Sequence, residues 1–140
     1  MLVKQSSFYE RVGLITELLA VSDHHARARI YSYIPSQVLT PLRKNQAGVY
    51  LDRDGGVKAF ITWAYVTREI EKALCESGRS IKSDEWDSGQ RLFINDFVCP
   101  YGNTREILRD ARQRYFQNYG RAASVRRHED GRVRKVNLWR

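Results

Sequence analysis

RLFINDFVCP, residues 91–100, decides how the rest of the chain must be arranged. Read with a period of two, it puts Leu92, Ile94, Asp96 and Val98 on one face and Phe93, Asn95, Phe97 and Cys99 on the other. Both faces are mostly apolar, so the stretch reads as a central strand covered on each side, ended by Pro100. A strand covered twice needs a sheet around it and helices to do the covering.

One residue does not fit. Asp is depleted in strands, and an unpaired carboxylate in an apolar layer is costly. Asp96 must therefore be paired, hydrogen-bonded, or set at a strand end that opens on a cleft. An arginine or a group of backbone N–H donors is the structural solution. An imidazole is the functional one.

A second anomaly supplies candidates. SDHH, residues 22–25, holds two of the three histidines side by side, just past an apolar helix-like segment. Ser22 or Asp23 can cap a short helix there, which makes the pair incidental. A carboxylate that accepts a hydrogen bond from one imidazole nitrogen fixes the tautomer and raises the basicity of the other, which makes the pair useful. His24 or His25 with Asp96 would be such a couple, although spacing does not say that they meet.

Outward from the strand, FYERVGLITELLA (8–20) places Phe8, Val12, Ile15 and Leu19 at helical spacing, with Gly13 its weak point. Pro35 and Pro41 are expected to break up the stretch that follows. Residues 47–52 and 57–66 are β-rich and flank Asp54-Gly55-Gly56, a hairpin signal. Thr67 can cap a helix reaching about Glu76. Asn103 and Glu106 suggest a capping box for a helix from 104 to about 118, and ASVRRH and RVRKVNLW flank a second hairpin signal at Glu129-Asp130-Gly131. The order of elements gives a single domain over residues 1–140, an α+β or α/β sheet covered by helices, of which α+β is the expected class.

Composition narrows the function. The 140 residues are 42% hydrophobic and 11% aromatic, the balance of a globular chain. No apolar run approaches the roughly 20 residues of a membrane span. Lys4, Glu10 and Arg11 come too early for a secretory leader, and two cysteines do not make a disulfide scaffold, so a cytoplasmic location is expected. The net charge of +8, much of it in the last twenty residues, favours acidic partners. A nucleic-acid-binding module is the competing class. The terminal arginines are not interleaved with stacking aromatics, which counts against it. A catalytically silent adaptor of the same fold is a third reading.

Taken together, SDHH (22–25), VLTPLRKNQAGVYLDRDGGVKAFITWAYV (38–66), DEWDSGQRLFINDFVCPYG (84–102) and the basic tail SVRRHEDGRVRKVNLW resemble the RTX toxin-activating lysine acyltransferases. The likeness runs over roughly residues 10–138 in order. It implies a mixed sheet with flanking helices of GNAT-like architecture, and transfer of a fatty acyl group from acyl carrier protein to internal lysines of an RTX-type protoxin. It further implies a homodimer, with acyl carrier protein as the co-substrate and no other cofactor; no metal is expected, because a thioester is already activated. Carried over residue by residue, the catalytic pair is His25 and Asp96, and Ser22 supports it. Trp63 is the candidate lining residue of an acyl groove running from His25, with core packing its competitor. Two stretches depart from the family's pattern: LLAV (18–21) replaces an aromatic segment, and Asp23 stands where proline is common.

Overall fold

The protein is described by a computed structural model covering residues 2–3, 7–127 and 132–139. Its strands form one sheet in the order β1 (Leu2–Val3), β2 (Ala47–Leu51), β3 (Val57–Val66), β4 (Arg91–Val98), β5 (Ala122–Arg127) and β6 (Val133–Trp139). Neighbours are antiparallel except β4 and β5, which run parallel and register at Phe93 opposite Ala123. A parallel pair needs a crossover. The connection from β4 to β5 supplies it with a helix, residues Thr104–Arg114. The chain is thus α+β with a mixed sheet flanked by helices, consistent with the GNAT-like architecture expected.

Local chemistry explains most of the boundaries. Helix α1 (Phe8–Ala20) starts where Ser7 accepts a hydrogen bond from the Glu10 amide. The β2–β3 turn closes on Asp52, whose Oδ1 accepts from the amides of Asp54 and Gly56 at 2.9 and 2.8 Å. Thr67 caps the helix Arg68–Ser77 as expected, and Gly78 ends it in the left-handed region. Ser88 and Gly89 fold back so that both amides donate to the Tyr65 carbonyl. A Cβ at Gly89 would lie 2.4 Å from the Val66 backbone, so this turn accepts no side chain there.

Three expectations fail locally. Pro35 and Pro41 do not interrupt the chain. Helix α2 (Ile30–Tyr33) passes through a π-helical turn (Ile34–Leu39) directly into α3 (Thr40–Arg43). The wider turn accommodates the prolines' missing N–H groups, and the amide and hydroxyl of Thr40 both reach the Pro35 carbonyl. Asn103 makes no side-chain cap, because it sits at φ 63°, and its helix stops at Arg114. In chain order the helices Arg68–Ser77 and Thr104–Arg114 are α4 and α5. The second hairpin signal, Glu129 to Gly131, lies outside the described residues and is not among these three.

Both faces of the sheet are covered. On one, α1 and the α2–α3 segment bring Ile15, Leu18, Val38 and Leu42 onto Val49, Phe60 and Val98, while Leu74 of α4, Ile81 and Trp86 cover Ala64, Phe93 and Ala123. On the other, Ile107 and Ala111 of α5, with Phe116, cover Ile61, Trp63, Leu92 and Ile94.

The strict alternation expected for β4 is broken once. Thr62 pairs with Asp96 and Trp63 with Ile94, which leaves Asn95 as one extra residue on β4. This bulge shifts the phase of everything after it. Asp96 consequently shares a face with Phe93 rather than with Leu92 and Ile94. Asn95 and Asp96 both turn toward the α1–α3 side.

Candidate active site

The bulge aims Asp96 at a short 3₁₀ turn, Asp23–His25, that follows α1. That turn is closed by the His25 amide donating to the Ser22 carbonyl at 3.1 Å. It brings Ser22 Oγ to 2.7 Å from His25 Nδ1 and leaves Nε2 pointing inward, 3.0 Å from Asp96 Oδ1. The two sequence anomalies therefore meet across 71 positions. Both side chains are mostly enclosed, His25 13% and Asp96 15% exposed.

The second carboxylate oxygen is also occupied. The Tyr33 hydroxyl, at the end of α2, donates to Asp96 Oδ2, and its ring stands edge-on to the His25 imidazole with centroids 5.3 Å apart. The Asp96 amide, displaced by the bulge, donates to Thr62 Oγ1 at 3.2 Å. Asn95 donates to Gln37 Oε1 at 2.9 Å, and Gln37 in turn donates to the Ile81 carbonyl at 2.7 Å. The π-helical turn that carries Gln37 is thus pinned to the bulge.

Burial alone would push the Asp96 carboxyl up. The hydrogen bond and charge of His25, the Tyr33 hydroxyl and the Arg127 guanidinium outweigh it and hold the carboxyl below its ordinary range. Burial, then the Asp96 charge and hydrogen bond, drive the Tyr33 phenol far upward, so it stays a donor. An ionised carboxylate only accepts. The proton between His25 and Asp96 therefore sits on Nε2, and in the neutral ring Nδ1 accepts from the Ser22 hydroxyl. Nδ1 is the basic atom of the arrangement, and Ser22 stands over it.

Of the expected site residues, His25, Asp96 and Ser22 come together. His24 is exposed and has no side-chain partner among the described residues. Trp63 requires a correction. It lies on the opposite face of the sheet from Asp96, 3% exposed, with its ring 4.7 Å from that of Tyr115 and edge-on to Phe116. It is a core residue of the α5 side and lines no groove leading from His25. Phe97 also lies on that side, whereas Phe93 shares the Asp96 face but is buried under α4 and Trp86. Sequence reading missed Tyr33, Gln37, Thr62 and Arg127. The only available hint was two successive polar residues, Asn95 and Asp96, in an otherwise apolar strand. Among the described residues no cluster of three His, Cys, Asp or Glu could hold a metal ion.

An imidazole held between a hydroxyl and a carboxylate can accept and return a proton, which suits transfer of an activated acyl group to an amine. Comparison with known proteins agrees. Residues 4–140 match the HlyC family model, described as the RTX toxin acyltransferase family. The lysine-acyltransferase RtxC of Vibrio cholerae is 31% identical over 76% of this chain and 69% of its own. The RTX-II and RTX-I toxin-activating lysine-acyltransferases of Actinobacillus pleuropneumoniae are each 30% identical. The first covers 81% of this chain and 70% of the relative; the second covers 96% and 76%. An uncharacterised protein of Synechocystis is 27% identical over 76% of this chain and 73% of its own. The family model and the relatives define an acyltransferase. The chain belongs to the RTX toxin acyltransferase family. Within the described residues no helix is long and apolar enough to cross a membrane.

Proposed function

We propose that this chain is a protein-lysine acyltransferase that moves a fatty acyl group from acyl carrier protein to internal lysine side chains of an RTX-type protoxin, in the cytoplasm and as a homodimer. The observation that carries the reading is the imidazole of His25, hydrogen-bonded through Nε2 to an ionised Asp96 and through Nδ1 to Ser22. The names of the relatives, lysine-acyltransferases, support the acceptor, and those called toxin-activating support the protoxin. The net charge of +8 suits an acidic carrier protein as donor.

A lysine ε-ammonium has a pKa of about 10.4, so it enters the reaction by losing one proton to solvent. The neutral amine attacks the thioester carbonyl carbon and forms the C–N bond. Its surplus proton passes to the Ser22 oxygen as the Ser22 proton moves to His25 Nδ1. The tetrahedral intermediate then collapses, the C–S bond breaks, and the imidazolium returns the proton to the departing sulfur. Asp96 stabilises the imidazolium while it exists. Tyr33 holds the carboxylate in line by occupying its other oxygen. Both ring nitrogens already have partners, which favours His25 as a base over His25 as an acyl acceptor.

The test is transfer from carrier-bound acyl groups of two, eight, twelve and sixteen carbons to a lysine in a protoxin segment, followed by mass spectrometry. Each buried CH₂ contributes roughly 0.8 kcal/mol, so rates should rise with chain length until the binding site is filled. Acetyl transferred as fast as the long chains would remove the fatty-acyl donor. No transfer from any of them would remove lysine acylation itself.

A further inference from the structure

Between His25 and Tyr33, whose side chains both turn inward to Asp96, every residue from Ala26 to Ser32 is exposed. The segment is turned and bonded to itself: the Ala28 amide reaches the His25 carbonyl at 3.0 Å, and the Ser32 and Tyr33 amides reach that of Arg29. Its two ends are fixed by the two oxygens of one carboxylate. It carries Arg27 and Arg29, neither in an ion pair among the described residues, and two large side chains in solvent, Ile30 at 81% and Tyr31 at 93% exposure. The nearest acidic group along the chain, Asp23, lies beyond His25. An ordered basic and apolar surface beside a reaction centre is an interaction surface in search of an acidic, partly apolar partner.

Reach decides which partner. A lysine nitrogen lies only about 6 Å from its own Cα, so an acceptor lysine at Ser22 and His25 brings its backbone onto the surface around them. The residues flanking that lysine then meet segment 26–32. A carrier protein presents its thioester on a long flexible arm, and its body need not touch this segment. Resting on the lysine-acylation reading above, we infer that residues 26–32 are the docking surface for the acceptor polypeptide. They select lysines with acidic neighbours, met by Arg27 and Arg29, and an apolar side chain seated against Ile30 and Tyr31.

The experiment uses short peptides with one lysine flanked by Glu, Ser or Arg, a carrier-bound acyl donor, and the wild-type and Arg27→Glu/Arg29→Glu proteins. Wild type should give a KM about 10-fold lower for the Glu-flanked than for the Arg-flanked peptide. The double variant should reverse that order, with the KM for the donor unchanged. Ile30→Ser/Tyr31→Ser should raise the acceptor KM for all three peptides. Binding of the same labelled peptides without donor, followed by fluorescence anisotropy, reads the surface independently of catalysis. It should show the same order and weaken with salt. A variant that raises the donor KM instead, or peptide binding indifferent to flanking charge, would overturn the assignment. Charge-ordered binding without any transfer would keep the surface and remove the proposed activity.

Discussion

Two carboxylates sit on the same side of this sheet, and the protein treats them in opposite ways. Glu71, on α4, is met by two guanidiniums: Arg91 from β4 at 3.1 Å and Arg121, just before β5, at 2.7 Å. Burial would push its carboxyl up, but the bonds and charges of Arg121 and Arg91 hold it below the ordinary range. Asp96 is met by an imidazole and a phenol. An arginine proton does not move at any relevant pH, so the Glu71 cluster is a fixed rivet between α4 and the paired ends of β4 and β5. The imidazole can gain and lose its proton. A carboxylate paired with arginine holds structure, and one paired with histidine can serve chemistry.

Exchanging carboxylate for amide at each position should separate the two roles. Asp96→Asn should lower kcat for acyl transfer by about 10²–10⁴-fold, because an amide cannot stabilise the imidazolium, with little change in far-UV circular dichroism. Glu71→Gln should leave kcat within about threefold yet lower the melting temperature, by an amount corresponding to roughly 1–2 kcal/mol, since both guanidinium heads are more than a third exposed and their Coulomb share is screened. If Glu71→Gln kills transfer and Asp96→Asn spares it, the assignments are reversed.

A smaller effect is expected at Tyr33. Tyr33→Phe keeps the ring against His25 but removes the donor to Asp96 Oδ2, so kcat should fall about 10-fold with acceptor KM unchanged. An unchanged kcat would make the phenol a packing residue only. The acid limb of stability is subtler still. Glu71 and Asp96 both have depressed carboxyl values in the folded protein, so the stability they contribute is complete above the ordinary carboxylate range. It is lost as pH falls through the folded values. Urea midpoints should therefore be flat from neutral pH down to about 5 and decline below it, less steeply in Glu71→Gln.

The strand at 91–98 was legible because apolar residues on both faces can only be satisfied inside a sheet. Its bulge was not, because a period of two assumes the register it is used to derive. The extra residue, Asn95, shows only when β3 is laid alongside. The helix through Pro35 and Pro41 was hidden for a related reason: the rule against internal proline supposes an i to i+4 ladder, and this segment uses a wider one. Asp96 could be recognised as an acid in need of a partner, and His25 as one of two candidates. Their meeting was implied by the family resemblance, since no local rule joins residues 71 apart. Tyr33, 63 positions from Asp96, left no trace of its role in the sequence. Trp63 was misread because an exposed groove and a packed core ask for the same side chain.

The most direct test of His25 as the base is a comparison of its alanine variant with that of its neighbour. Transfer of a long acyl chain from acyl carrier protein to an acceptor lysine would be timed by mass spectrometry for wild type, His25→Ala and His24→Ala, with folding verified by circular dichroism. His25→Ala should transfer nothing above the uncatalysed background, while His24→Ala, altering an exposed ring with no partner among the described residues, should stay within about twofold of wild type. A folded His25→Ala variant that transfers at the wild-type rate would contradict the account.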